Sequence, residues 1–212
     1  MSDQPTVILL ADPEMHWRAD DRQAIGHYSV LDTALRRVLS SQLPRVLVAT
    51  PAQAEAAARL LPGQDILVMP PPNAQESASD WLAQGVANTV IERGDSPGWI
   101  LLPIDMPMLR LDTLHAVAAG LKAATMVFPC HRHLRGLPVG LSAELHSELI
   151  RVRNDQDLRR LTARYPGMDI DVDDAGVLMT MDAHTGLNQL RAQLTGPSMG
   201  AMARSGLSVP SF

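Results

Sequence analysis

The sequence predicts a single α/β domain with a mostly parallel sheet covered by helices on both faces. Short apolar runs alternate with segments of helical periodicity, and each run is bounded by Pro, Gly or Asp. The 212 residues, 46% hydrophobic and 19% charged, suit one soluble core. The most telling run is residues 98–110, Gly-Trp-Ile-Leu-Leu-Pro-Ile-Asp-Met-Pro-Met-Leu-Arg. It breaks at one carboxylate, Asp105, and Pro107 then forbids the strand from continuing. A buried central strand ends in this way, and open α/β sheets place ligands in the crevice beyond such carboxyl ends. Two roles suit Asp105 there: holding a metal ion against a substrate phosphate, or forming a side-chain turn ahead of Pro107.

Taken in order, Val7 to Ala11, Val46 to Ala49, Ile66 to Met69, Trp99 to Ile104 and Met126 to Phe128 read as buried strands. Leu31, Ala34, Leu35, Val38 and Leu39 form an apolar stripe at helical spacing, with Ser29 as N-cap. Ala52 to Leu61 is an Ala-rich helix opened by Thr50-Pro51 and closed by Pro62-Gly63. Trp81, Leu82, Val86 and Val90 mark a third helix, which Ser77 or Ser79 caps. Leu114, Val117, Ala118 and Leu121 mark a fourth, with Asp112 as its cap. The second half is less regular. Leu137 to Leu141 reads as a strand, Ser142 to Val152 as a helix, and Asp155 to Ala163 as a short helix capped by Asn154. Met168 to Val172 and Val177 to Met181 are extended, and Thr185 to Leu194 is a last helix. Residues 1–194 make the domain, while 195–212, rich in Gly, Ser, Pro and Ala without periodicity, read as a mobile tail.

A net charge of -5 offers no basic excess for nucleic acid or an anionic membrane, so neither is an expected partner. One cysteine, Cys130, excludes an internal disulfide framework and fits a reducing compartment. The first residues lack a basic segment, and Val7 to Ala11 is too short for a signal core or a membrane span. A cytoplasmic protein is the expectation. Cys130-His131-Arg132-His133 has soft ligands at close spacing but no second pair nearby, so a loop after a strand is favoured over zinc. Asp169, Asp171, Asp173 and Asp174 resemble a cation site, but alternation places Asp169, Asp171 and Asp173 on one strand face, which favours the solvated face of an edge strand.

Four stretches in order resemble the MobA-like nucleotidyltransferase family, and within it the molybdenum cofactor cytidylyltransferase branch. Leu101 to Pro107 resembles the family's strand ending in Asp-Met-Pro, with Asp105 as metal ligand. Arg135-Gly136-Leu137-Pro138-Val139-Gly140 is similar to its Arg-Gly-His-Pro-Val-Gly, which faces the second substrate. Asn154-Asp155-Gln156-Asp157-Leu158-Arg159 is similar to the branch's Gly-Asp-Gln-Gly-Ala-Arg, and Asp182 to Asn188 to the closing Asp-Ile-Asp-Thr-Pro-Glu-Asp. The resemblance implies a three-layer α/β/α Rossmann-like domain of the nucleotide-diphospho-sugar transferase type. It implies nucleotidyl transfer from an NTP, with CTP favoured, to a phosphorylated acceptor such as molybdopterin, and a molybdoenzyme as a further partner. It also implies Mg2+ or Mn2+ held by Asp105 with Asp182 or His184, and an acceptor facing Arg135, Gly136, Pro138 and Asp155. Ala11, Arg18 and Arg22 would face the triphosphate, with Arg22 sharing the catalytic role with Asp105.

The chain departs from the family where the nucleotide signature, Leu-Ala-Ala-Gly-x-Ser-x-Arg-Met-Gly followed by Lys, should stand. Here Leu10-Ala11-Asp12-Pro13-Glu14 places a proline without an N–H, flanked by two carboxylates, where the ligand is most negative. A like-charge contact near 4 Å costs about 1 kcal/mol in water and about 4 in a partly shielded site, so phosphate affinity should fall. Arg18 and Arg22 either restore part of it or are solvated loop charges. His184 replaces the closing motif's second aspartate; Mg2+ prefers oxygen ligands, whereas imidazole suits Zn2+, Mn2+ or Fe2+ better. A stiff Pro70-Pro71-Pro72 stands where relatives carry a Gly- and Ser-containing substrate loop. A glycosyltransferase using Asp171-Val172-Asp173 is a weaker enzyme alternative, because that pair lies far along the chain from the central strand. The alternative from another class is a non-catalytic descendant that serves as a cofactor carrier or assembly factor.

Overall fold

The computed structural model describes residues 3–11, 28–70, 78–94, 96–180 and 195. Eight strands among them form one mixed sheet: β1 (Thr6–Leu10), β2 (Arg45–Ala49), β3 (Ile66–Val68), β4 (Gly98–Pro103), β5 (Met126–His131), β6 (Leu134–Arg135), β7 (Val139–Ser142) and β8 (Gly167–Asp171). Their order is β3-β2-β1-β4-β7-β5, with β6 beyond β7 on the same edge of β5 and β8 parallel to β5 on its other edge. β1 pairs in parallel with both β2 and β4, whereas β7 runs antiparallel between β4 and β5. The single α/β domain and its mostly parallel sheet are therefore as the sequence predicts. All residues of β1 and β4 are buried, as expected of central strands covered on both faces.

Among the described residues, six helices accompany the sheet: α1 (Val30–Ser41), α2 (Pro51–Ala57), α3 (Ala78–Arg93), α4 (Leu111–Gly120), α5 (His146–Leu149) and α6 (Asp155–Arg164). α1 packs against α2 and α4, and α3 against α5 and α6, which puts a helix layer on each face of the sheet. Local chemistry explains the starts. The Ser29 hydroxyl accepts the Asp32 N–H at 3.0 Å, Thr50 and Gln53 form a reciprocal capping box, and the Asn154 side-chain Oδ1 accepts the Gln156 and Asp157 amides. The buried indole of Trp99 in β4 donates to Thr89 of α3 at 2.7 Å, which satisfies its polar tip inside the core.

Several expectations need correction. The Ala-rich helix ends at Ala57 rather than Leu61, and residues 143–149 form a short 3-10 turn followed by one turn of α-helix. Of the two cap candidates for α3, Ser79 lies inside the helix and Ser77 lies outside the described residues. Residues 175–178 form a 3-10 turn instead of the strand predicted over Val177 to Met181. Asp112 does not cap α4; the helix has no cap from its own side chains and takes one from Asp174, 64 residues away. The predicted helix over Thr185 to Leu194 and the tail at 196–212 lie outside the described residues.

β5 and β6 meet in a two-residue hairpin whose turn residues, Arg132 and His133, both adopt left-handed backbone (φ 52° and 65°). Such a turn matches the sheet twist but favours Asn-Gly, because a side chain at positive φ costs about 1–2 kcal/mol. His133→Gly should therefore raise stability by about 1 kcal/mol, measured by urea unfolding.

Candidate active site

The carboxyl ends of the parallel strands converge on one edge of the sheet. Leu10 of β1 is level with Pro103 of β4, and the Ile104 amide donates to the Leu10 carbonyl at 3.1 Å. Ala11 and Asp105 thus leave the sheet side by side at the same end, where the sequence places the crevice. β7 enters this edge antiparallel, with Val139 opposite Leu101, so the preceding Arg135–Pro138 loop joins the same edge. The Arg153 guanidinium, just ahead of α6, approaches Asp80 in the first turn of α3 at 3.9 Å. That contact brings the start of α6 to the start of α3.

Asp105 is fully buried (0% exposed). Its turn is closed by the Leu109 amide on the Met106 carbonyl at 3.4 Å. Arg37 of α1 donates to the Pro107 carbonyl at 2.5 Å. Burial lowers the pKa of the Arg37 guanidinium from its ordinary value, and the charge of Asp174 opposes that shift. Asp174, buried to 4% exposure, accepts from the Arg110 amide at 2.8 Å, the Thr113 hydroxyl at 2.6 Å and the Gly176 amide at 2.8 Å. It is a structural clamp rather than part of a solvated face. Its neighbours Asp169, Asp171 and Asp173 are exposed as expected.

The Arg135–Pro138 loop is mostly internal. Gly136 and Pro138 are buried, and the Gly136 amide donates to the Pro129 carbonyl at 2.8 Å. Arg135 is half-exposed, bound to Asp169 at 2.7 Å and stacked over the Phe128 ring at 4.5 Å. It is the loop residue that presents a cation. The Ala11 amide is likewise engaged, donating to the Val48 carbonyl at 3.0 Å. Asp155 is the first residue of α6. Burial and the nearby Asp169 push the Cys130 thiol above its ordinary pKa, so it is not an activated nucleophile. His131 binds the Val172 carbonyl at 3.1 Å, and among the described residues no three His, Cys, Asp or Glu come together as a metal cluster. Arg18, Arg22, Asp182 and His184, with Asp12, Pro13 and Glu14, lie outside the described residues.

For a divalent cation, Asp105 supplies two hard oxygen donors at the right edge of the sheet. A cavity of about 260 Å³ lined by Glu148, Arg151, Arg160 and Tyr165 lies instead between α5 and α6. Asp105 is not among the residues that line it. Arg37 and Asp174 are the residues that sequence reasoning missed. Asp-Asp-Ala-Gly at 173–176 is an Asp-containing turn signal that flags Asp174, whereas nothing local flags Arg37.

A mostly parallel α/β sheet binds its ligands in the crevice beyond the carboxyl ends of its strands, which is where Ala11 and Asp105 stand. Residues 23–168 match the MobA-like NTP transferase domain, and the chain belongs to that family. Its fold is similar to that of Rv0371c from Mycobacterium tuberculosis, with 20% identity over 92% of this chain and 98% of that one and a TM-score of 0.67. A structure of that protein in complex with manganese gives a TM-score of 0.64 at 20% identity, over 92% and 100% of the two chains. 4-Diphosphocytidyl-2C-methyl-D-erythritol synthase is similar at 12% identity over 90% of this chain and 99% of that one, TM-score 0.60. CMP:2-keto-3-deoxy-manno-octonic acid synthetase complexed with CTP is similar at 14% identity over 79% and 90%, TM-score 0.57. No curated protein matches the sequence. Among the described residues, no helix is long and apolar enough to cross a membrane.

Proposed function

We propose that the chain is a divalent-metal-dependent nucleotidyltransferase of the molybdenum cofactor cytidylyltransferase type. It would move a nucleotidyl group from an NTP, with CTP favoured, to molybdopterin or a related phosphorylated small molecule. The observation that carries this reading is Asp105: a carboxylate at the carboxyl end of central β4, beside the end of β1, in a chain of the MobA-like family. An acceptor phosphate oxygen attacks the α-phosphorus in line. The bond from that phosphorus to the bridging oxygen breaks, and pyrophosphate leaves with the electron pair. Bound metal would neutralise phosphate charge as this bond breaks. Asp105 would hold it, with Asp182 or His184 completing the set. The manganese complex of the similar Rv0371c supports a divalent cation as the bound group. Arg18 and Arg22 would face the triphosphate, and Arg135 the acceptor phosphate.

Calorimetric titration of the full chain with CTP, GTP and ATP, each with Mg2+ or Mn2+, tests the reading. The expected result is metal-dependent binding, tightest for CTP with Mn2+. Millimolar or absent binding of all three nucleotides would contradict it.

A second reading is a carrier or assembly factor for a molybdoenzyme that keeps the acceptor crevice without catalysis. It is favoured by Pro13 between Asp12 and Glu14, and the family match begins at residue 23, past this segment. Replacing Asp12-Pro13-Glu14 with a glycine-rich loop separates the two. Nucleotide affinity that appears only in the replacement would support the carrier.

A further inference from the structure

The turn that carries Asp105 is gripped from two sides by groups of opposite charge that the transfer reaction does not use. From α1, Arg37 Nη1 donates to the carbonyl of Pro107, two residues past Asp105. From the turn after β8, Asp174 Oδ2 accepts the amide of Arg110 and the hydroxyl of Thr113, at 2.8 and 2.6 Å. Asp174 Oδ1 accepts the Gly176 amide at 2.8 Å. Three donors converge on this buried carboxylate, and an amide in its place keeps only one acceptor oxygen.

The same turn reaches the other half of the site. The Val177 carbonyl accepts the Leu137 amide at 3.0 Å, next to the Arg135–Pro138 loop. The backbones are in direct contact as well: a Cβ on Gly176 would overlap the Met108 carbonyl, and a Cβ on Gly136 would overlap the Val177 carbonyl. Residues 174–178 therefore touch both the metal-side turn and the acceptor-side loop. If Asp174 only capped α4, neither Arg37 on another helix nor the Val177 contact with the acceptor loop would be needed.

We propose that Arg37 and Asp174 are positioning residues, which together fix the turn bearing Asp105 and, through Val177, set it against the Arg135–Pro138 loop. The inference rests on the metal-binding reading of Asp105. Partners that orient a metal ligand without touching the ion typically change metal affinity by about 10–100-fold when removed.

The test is Mn2+ binding to the full chain, read from the spectrum of free Mn2+ by electron paramagnetic resonance, with melting in EDTA recorded alongside. The parent is compared with Arg37→Met, Arg37→Lys, Asp174→Asn and the control Asp105→Asn. Arg37→Met and Asp174→Asn should each weaken Mn2+ by about tenfold or more, and Arg37→Lys, which retains a donor for Pro107, should recover most of the loss. A loss smaller than about fivefold in folded Arg37→Met or Asp174→Asn, with binding abolished in Asp105→Asn, overturns the inference and leaves the metal reading standing. Mn2+ binding that survives in Asp105→Asn, or is absent from the parent, overturns the metal reading and the inference with it. If Asp174→Asn does not fold, the Arg37→Met and Arg37→Lys pair decides, because a merely structural arginine changes melting without changing Mn2+ affinity.

Discussion

Asp105→Asn is expected to abolish the Mn2+-dependent rise in melting temperature that CTP produces in the parent, and also to destabilise the unliganded protein. Both effects follow from position. The carboxylate closes a central strand at the ligand edge of the sheet, and it is fully buried. Replacing one oxygen by an amide removes the anionic donor that a hard cation requires. In a buried site the same change costs about 1–3 kcal/mol, the usual penalty for disturbing a buried polar group. A chain of this length shifts by about 2–4 °C per kcal/mol, so the drop is measurable. Ligand at a hundredfold its dissociation constant adds about 2.7 kcal/mol to the parent, and that increment should vanish in the variant. Melts of both proteins, with and without Mn2+ and CTP, read both quantities. Because Asp105 is buried, lower stability alone says nothing of function; a variant that is less stable yet keeps the ligand-induced shift marks Asp105 as structural.

Gly176→Ala and Gly136→Ala are expected to be among the most damaging small substitutions in the chain. A methyl on Gly176 runs into the Met108 carbonyl and the Asp174 carboxylate, and one on Gly136 into the Val177 backbone. These neighbours are mostly main chain, so no rotamer change relieves the overlap. Overpacking of this kind costs about 1–3 kcal/mol. Each variant should also lose metal or nucleotide affinity, because both overlaps pry residues 174–178 away from a half of the site. Gly63→Ala is the control: its added methyl meets nothing within 4 Å. It should be neutral or stabilising by up to about 1 kcal/mol. Denaturant unfolding of the three variants checks the order.

The central strands were legible because strands buried on both faces carry continuous apolar runs, as in Val7 to Leu10 and Trp99 to Leu102. Caps at Ser29, Thr50 and Asn154 were legible because they act within a few residues. What failed depends on contacts across long stretches of chain. The cap of α4 comes from Asp174, and nothing near Arg110 announces it. Val177 to Met181 has the composition of a strand, but Asp174 captures the Gly176 amide and draws the chain into a 3-10 turn. The Arg132-His133 turn lacks the Asn-Gly signature of its geometry, so β6 was invisible. Pro107 made the place of Asp105 legible, while its burial, set by segments remote in sequence, was not. Gly136 and Pro138 lie in the loop that the motif picks out, but the sequence did not announce that both are buried and that Arg135 is the part-exposed residue beside them.

The most direct test of a metal-dependent nucleotide site is the anomalous-scattering map of a crystal soaked with Mn2+ and CTP. The account predicts a manganese peak bonded to the Asp105 carboxylate, with the triphosphate in the crevice beyond Ala11 and β1. Manganese bound elsewhere, or an empty crevice at saturating metal and CTP, would contradict it.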